Sequence, residues 1–249
     1  MELEPPLPNT STGSVLESVS SSHVNLSIAS QVHDATRYNI HYAAVIPLEK
    51  LHNAFLKRCT DVFLSIILIL LIFPWFLPLV ALLIKAESGG PIFFKQKRIK
   101  KLNQLFTCLK FRTMFVNNEA DTHPATPFDP RITRVGRFLR NTHLDELPQL
   151  WNVLVGDMSL IGPRPHMISD HQKFEPLIDK YHIRQLVKPG ITGLAQVLGY
   201  TGPVTDINVM KGRIVQDVFY VCHWHPGLDL KIILKTISKM LFIKQRREK

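Results

Sequence analysis

Asp145 and Glu146 stand side by side in the stretch NTHLDELPQLW, inside a chain with 30 Lys and Arg against 20 Asp and Glu. An ionised carboxylate can attack an electrophile or hold a divalent cation, so this pair is the first candidate for chemistry. Neighbours on a helix point about 100° apart, so the two could not face each other across one bond, as a glycosidase pair does. One could attack while the other holds a metal. A plain preference for acids at a helix N-terminus would also account for them. Candidate phosphate ligands lie on both sides of the pair. FTCLKFRTMF alternates as a strand does, which would put Lys110 and Arg112 on one face and Phe111 on the other. In IGPRPH, Arg164 sits between Pro163 and Pro165, so stiff backbone presents a planar five-donor fork suited to phosphate oxygens. A structural arginine on a loop is the competing reading. Between Lys95 and Arg140 eleven cations meet only three acids, Glu119, Asp121 and Asp129. Most of that run belongs to solvent or lipid head groups.

The elements that must position these residues are partly visible. Thr142, three residues before Asp145, has the spacing of a capping box, and Pro148 suits a first helical turn. Both carboxylates are therefore expected near a helix N-terminus, whose dipole favours the ionised form. Upstream, VFLSIILILLIFPWFLPLVALLI (Val62 to Ile84) carries no charge, and as a straight helix it would run roughly 35 Å, enough to cross a bilayer core of about 30 Å. Pro74 and Pro78 in its middle argue for a break. Lys57 and Arg58 flank one side and Lys85, Lys95, Lys97, Arg98, Lys100 and Lys101 the other, so the positive-inside rule draws both ends to the cytoplasm. A helix that enters, breaks near Pro74 and returns satisfies both constraints; a kinked full span is the alternative. Near the C-terminus Leu230, Ile233, Leu234, Ile237 and Leu241 recur at helical spacing, with Lys231, Lys235 and Lys239 on another face. That is the pattern of an interfacial helix, or of a surface helix packed on its own domain.

The rest of the chain sets bounds. A formal charge of +10 and a pI near 9.6 point to anionic partners without choosing among nucleic acid, lipid head groups and phosphorylated small molecules. Residues 1–50 open with PPLP and a Ser-rich run and read as a largely disordered extension without a secretory signal. Cys59, Cys108 and Cys222 have no CxxC spacing and suggest reduced thiols.

From about Lys57 to Phe242 the chain resembles the bacterial sugar transferase family, the monotopic phosphoglycosyl transferases. The resemblance is carried by KRCTD, GGPIFFKQKRI, KFRTM, DPRITRVGRFLRNTHLDELPQLWNVLVGDMSLIGPRP, VKPGITGLAQV, and the later DVFYV and LDLKII. It implies an α+β, mainly helical fold: a re-entrant helix-break-helix membrane hairpin over 51–88, and a membrane-seated cytoplasmic catalytic domain with interfacial helices over 89–249. It further implies transfer of a sugar 1-phosphate from a UDP-sugar to polyprenyl phosphate at the cytoplasmic face of the bacterial inner membrane, with Mg²⁺ or Mn²⁺ and without nucleic acid. The product would pass to downstream glycosyltransferases. By resemblance Asp145 is the nucleophile that carries the phosphosugar, Glu146 binds the metal with Asp145, and Lys110, Arg140 and Arg164 meet phosphates. Asp217 and Tyr220 would line the site. The chain departs from the family in two places. Phe73 precedes Pro74 where a serine is usual, and YVCHWH replaces YxxNWS; its Cys222, His223 and His225 lack the further ligands a transition metal needs. GLAQVLGYTGP lies nearer the hexose 1-phosphate branch. A membrane-anchored basic binding or scaffold protein is the alternative from another class.

Overall fold

In the computed structural model the described residues are 46–117, 129–202 and 206–245. The expectations for residues 1–45, and the acids Glu119 and Asp121, fall outside them, as does the side chain of Leu241.

A long uncharged run must satisfy its backbone internally, and this one does so as a single helix, α1 (Leu51–Glu87). The break expected at Pro74 and Pro78 does not interrupt it, since both prolines lie within the helix. Pro74 deprives the Leu70 carbonyl of its usual donor. Next to it, the Trp75 indole donates to the Leu71 carbonyl at 2.8 Å. The indole thus serves the carbonyl next to the one that Pro74 leaves without its usual donor.

Beyond α1, strands β1 (Phe93–Ile99) and β2 (Leu105–Phe111) pair antiparallel, with Phe93 opposite Phe111. Helix α2 (Arg134–Thr142) starts at Thr133, whose hydroxyl accepts from Gly136 N at 2.9 Å. It is also capped by Glu87 from the end of α1, which accepts from the amides of Arg134 and Val135. There follow α3 (Gln149–Val155), β3 (Ser159–Ile161), α4 (Ile168–Phe174), β4 (Gly190–Thr192) parallel to β3, α5 (Leu194–Val197), α6 (Ile207–Cys222) and α7 (Pro226–Gln245). The described chain is α+β and mainly helical.

Helix α1 is part of the core. Phe76, Val80 and Ile84 are buried with Phe111 and Leu139, and Phe111 stacks on Phe93 at 5.6 Å. At its other end KRCTD docks the helix. Lys57 pairs with Asp229 at 2.8 Å. Arg58 donates to the carbonyls of Val153 (2.5 Å) and Leu154 (2.7 Å), the open end of α3. Asp61 accepts from Ser159 Oγ and Leu160 N, both at 3.0 Å. Lys57 and Arg58, expected as cationic flanks that draw this end of the run to the cytoplasm, also make contacts inside the protein. Ser65 and Phe76 are both buried, and the ten residues between them, about 15 Å of helix, hold no buried residue, with Ile72 packed on the core cluster. The exposed side chains of this stretch include Leu70, Leu71 and Trp75.

In α7, Leu230, Leu234 and Ile237 are exposed while Ile232 is buried. One apolar stripe of that helix is thus left facing outward.

Candidate active site

Strand alternation delivers the first cation. On one face of β2, Phe106 and Cys108 are buried against Val153 and Met158, and Lys110 comes next on that face. The outer edge of β2 would otherwise show bare backbone, but Asn152 of α3 covers it. Its Oδ1 accepts from Leu109 N at 2.9 Å and its Nδ2 donates to the Thr107 carbonyl at 2.8 Å. Lys110 and α3 are thereby held in register.

Asp145 and Glu146 lie between α2 and α3. The capping box expected at Thr142 does not form. Thr142 is the last residue of α2, its hydroxyl bonded back to the Phe138 carbonyl at 2.9 Å. His143, at φ 58°, then turns the chain into a 3₁₀ turn, Leu144–Glu146. Both acids thus sit in that 3₁₀ turn, and helix α3 starts three residues after Glu146, beyond Pro148, so the pair lies close to a helix start as expected.

The pair is divided by its partners. Glu146 accepts from Lys110 Nζ at 2.6 Å and from both terminal nitrogens of Arg164, at 2.6 and 3.0 Å. This is the bidentate fork expected of Arg164, closed on a carboxylate. Asp145 is equally buried, yet its carboxylate accepts no hydrogen bond among the described residues. Burial pushes the Glu146 carboxyl up, but Arg164 and Lys110 more than offset this and hold it well below the usual range. Burial also pushes the Asp145 carboxyl up. There Lys110 opposes the shift, Glu146 adds to it, and the carboxyl stays above its ordinary value. Arg140 reaches the same space from α2. Its Nε donates to Thr113 Oγ1 at 2.7 Å, and its terminal nitrogens have no partner among the described residues.

Arg112 does not join this group. It donates to the carbonyls of Ser88 (2.8 Å) and Gly89 and to Ser88 Oγ (3.1 Å), fastening the end of α1. Tyr220 also lies elsewhere. Its hydroxyl sits 2.8 Å from Asp229 Oδ1 and 3.0 Å from the Ile161 carbonyl, within the joint that Lys57 and Trp224 make with Asp229. Asp217 touches the Arg164 loop only through Arg184 among the described residues.

Arg184 Nε donates to Asp217 Oδ2 at 2.9 Å, and its Nη2 donates to the backbone carbonyl of Arg164. Arg98 donates to the next carbonyl, Pro165 O, at 2.6 Å. Two arginines thus grip consecutive carbonyls of the loop that presents Arg164. The loop is also pressed against the segment around β4. A Cβ on Gly162 would stand 2.6 Å from the Lys188 carbonyl, and one on Gly190 would stand 2.1 Å from Gly162 N. The sequence held signals for both arginines. The alternation of QKRI turns Gln96 and Arg98 inward and Lys95 and Lys97 outward, and Arg184 sits among Ile183, Leu186 and Val187 in HIRQLV.

The donor set also suits a hard divalent cation. One lone pair at Glu146 Oε2 and the whole carboxylate of Asp145 are open, and Mg²⁺ characteristically takes one or two carboxylates, completing its shell with phosphate oxygens and water. Among the described residues no group of three or more His, Cys, Asp or Glu offers a metal an all-protein cage.

Comparison with known proteins sets this geometry in a family. The chain is 43% identical over 194 residues to the UDP-glucose:undecaprenyl-phosphate glucose-1-phosphate transferase of Klebsiella pneumoniae, covering 78% of this chain and 41% of that protein. It is 42% identical over 191 residues to the exopolysaccharide production protein PSS of Rhizobium leguminosarum bv. phaseoli, covering 75% and 95%. It is 43% identical over 193 residues to the UDP-N-acetylgalactosamine-undecaprenyl-phosphate N-acetylgalactosaminephosphotransferase of Aeromonas hydrophila, covering 76% and 44%. The match thus spans about two fifths of the length of the first and third of these and nearly all of the second. Residues 52–243 match the family described as bacterial sugar transferase, and this chain belongs to that family.

Proposed function

We propose that this chain transfers a hexose 1-phosphate from a UDP-sugar to polyprenyl (undecaprenyl) phosphate, releasing UMP, through a phosphosugar carried covalently on Asp145. The observation that supports it most directly is the division of the two acids. Glu146 is consumed by Lys110 and Arg164, whereas Asp145 is buried, unpaired and surrounded by cations. A carboxylate placed so is a nucleophile rather than a structural salt-bridge partner. In the first step an Asp145 oxygen attacks the sugar-linked phosphorus and the bond from that phosphorus to the UMP oxygen breaks. In the second, an oxygen of polyprenyl phosphate attacks the same phosphorus and the Asp145 carboxylate leaves. Each step brings two anions together, so Lys110, Arg140 and Arg164 serve by neutralising charge in place of water. Magnesium or manganese, held by Asp145 and the open lone pair of Glu146 Oε2, would supply further neutralisation at the phosphates.

The reading of the membrane arrangement is supported by α1. Both of its ends are fastened to one domain, and the stretch between them without a buried residue, about 15 Å, is half a bilayer core. We therefore take α1 as re-entrant as one continuous helix, without the break expected at Pro74 and Pro78, with the domain on the cytoplasmic face of the bacterial inner membrane and the α7 stripe in the interface. The product would begin an exopolysaccharide, capsule or O-antigen type chain, which other glycosyltransferases extend.

Membranes carrying the protein should release UMP in a burst of one per enzyme from the right UDP-hexose with Mg²⁺, and turn over only when polyprenyl phosphate is added. Acid-quenched protein should retain label from the sugar phosphate, and Asp145→Asn should not. Full activity in Asp145→Asn would overturn the mechanism. No UMP release across a panel of UDP-sugars would favour the scaffold alternative.

A further inference from the structure

The mechanism leaves unused a cavity of about 110 Å³ between the first turns of α1 and the domain, lined by Ala54, Lys57, Arg58, Asp61, Lys101 and Lys188, among others. A buried water needs roughly 10–15 Å³ by such a measure, so the space admits a group larger than one water. Its cations differ in how they are employed. Lys57 is paired with Asp229, Lys101 with Glu49 at 2.7 Å, and Arg58 with the α3 carbonyls. Asp61, the carboxylate at the wall, already accepts from Ser159 and Leu160. Lys188 is half-buried and has no hydrogen-bond or ion-pair partner among the described residues. Its Nζ lies 3.5 Å, and Arg58 Nη2 3.7 Å, from the point where a Cβ on Gly156 would stand. Two cationic heads therefore converge beside one glycine. Burial, then Arg58, pushes the Lys188 ammonium below its usual range, against the opposing charge of Asp61.

We propose that this cavity is a second anion site, distinct from the Asp145 centre, in which Lys188 and Arg58 bind a phosphate group. The favoured source is the head group of an anionic phospholipid. The cavity wall is the start of the membrane helix, and Leu51 and Phe55 on that same helix end are exposed. An ammonium aimed at such a boundary is suited to lipid phosphate. Occupancy would seat the N-terminal end of α1 at the head-group level.

Native mass spectrometry of the full chain in neutral detergent, titrated with phosphatidylglycerol or with inorganic phosphate, tests this. Wild type should hold one phosphatidylglycerol through a wash that strips further lipids. Lys188→Gln should weaken that adduct about tenfold, Lys188→Arg should restore it, and Lys211→Gln should leave it unchanged. Millimolar inorganic phosphate that displaces the lipid would still support the phosphate site but assign it to a free anion. Equal retention of the lipid by wild type and Lys188→Gln, both folded by thermal unfolding, would overturn the proposal. So would equal weakening by Lys188→Arg.

Discussion

At the scale of single residues, the buried Asp145 carboxylate is held at a cost in stability. Because its folded carboxyl lies above the ordinary value, the native state binds its proton more tightly than the unfolded chain, and stability falls as pH rises through that window. Glu146 behaves oppositely. Its depressed carboxyl contributes stability that is present above the ordinary carboxylate range and lost as pH falls through its folded value. Asp145→Asn should therefore raise Tm at pH 7, with the gain shrinking toward pH 4, while activity drops roughly 10³-fold or more; thermal unfolding across pH, beside a UMP assay, reads both. The acid limb of kcat/KM should lie above that of an ordinary carboxylate. Lys110→Met, which removes the cation that most opposes the shift, should move the limb higher still; a limb left in place would separate Asp145 from that profile. The residue types announced the pair. Its division was not legible, because it depends on Lys110 and Arg164, 36 and 18 residues from Glu146, closing on one acid and not its neighbour.

At the scale of elements, what matters is how strands and turns hold those side chains still. Asn152→Ala should cost about 1–3 kcal/mol by baring the edge of β2, and Asn152→Asp should not rescue it, since a carboxylate oxygen would face the Thr107 carbonyl; denaturant unfolding measures both. Arg184→Lys can keep the ion pair with Asp217 but not the second donor to the Arg164 carbonyl. A kcat loss of roughly 10–100-fold with Tm nearly unchanged is the expected result, of the size a 1 Å misplacement produces. Equal loss in Tm and kcat would reduce Arg184 to a structural role. Here the alternation of FTCLKF placed Lys110 correctly, and the same rule extended one residue too far. Arg112 lies past the end of β2 and turns to the end of α1. The capping box at Thr142 failed because a left-handed His143 ended α2 first, a backbone choice that local spacing does not announce.

At the scale of the whole molecule, the uncharged run was plain in the sequence and its docking was not. KRCTD reads as two flanking cations and an acid, and only the assembled domain shows that it caps α3 and meets β3 and α7. The topology is open to test. Cysteines placed one at a time at Leu51 and Glu87, in a background with Cys59 and Cys222 replaced by Ser, should react with impermeant maleimide from the same face of sealed vesicles; labelling from opposite faces would refute the re-entrant reading. The burial of Phe76, Val80 and Ile84 with Phe111 and Leu139 carries a further consequence, for how the protein is made. During synthesis α1 leaves the ribosome before its core partners exist, and on the re-entrant reading its apolar side chains would wait in lipid until residues 93–161 arrive to close over them. Bilayer and domain thus share one assembly line, and a gene trimmed to begin after α1 would encode a hydrophobic socket with nothing to fill it.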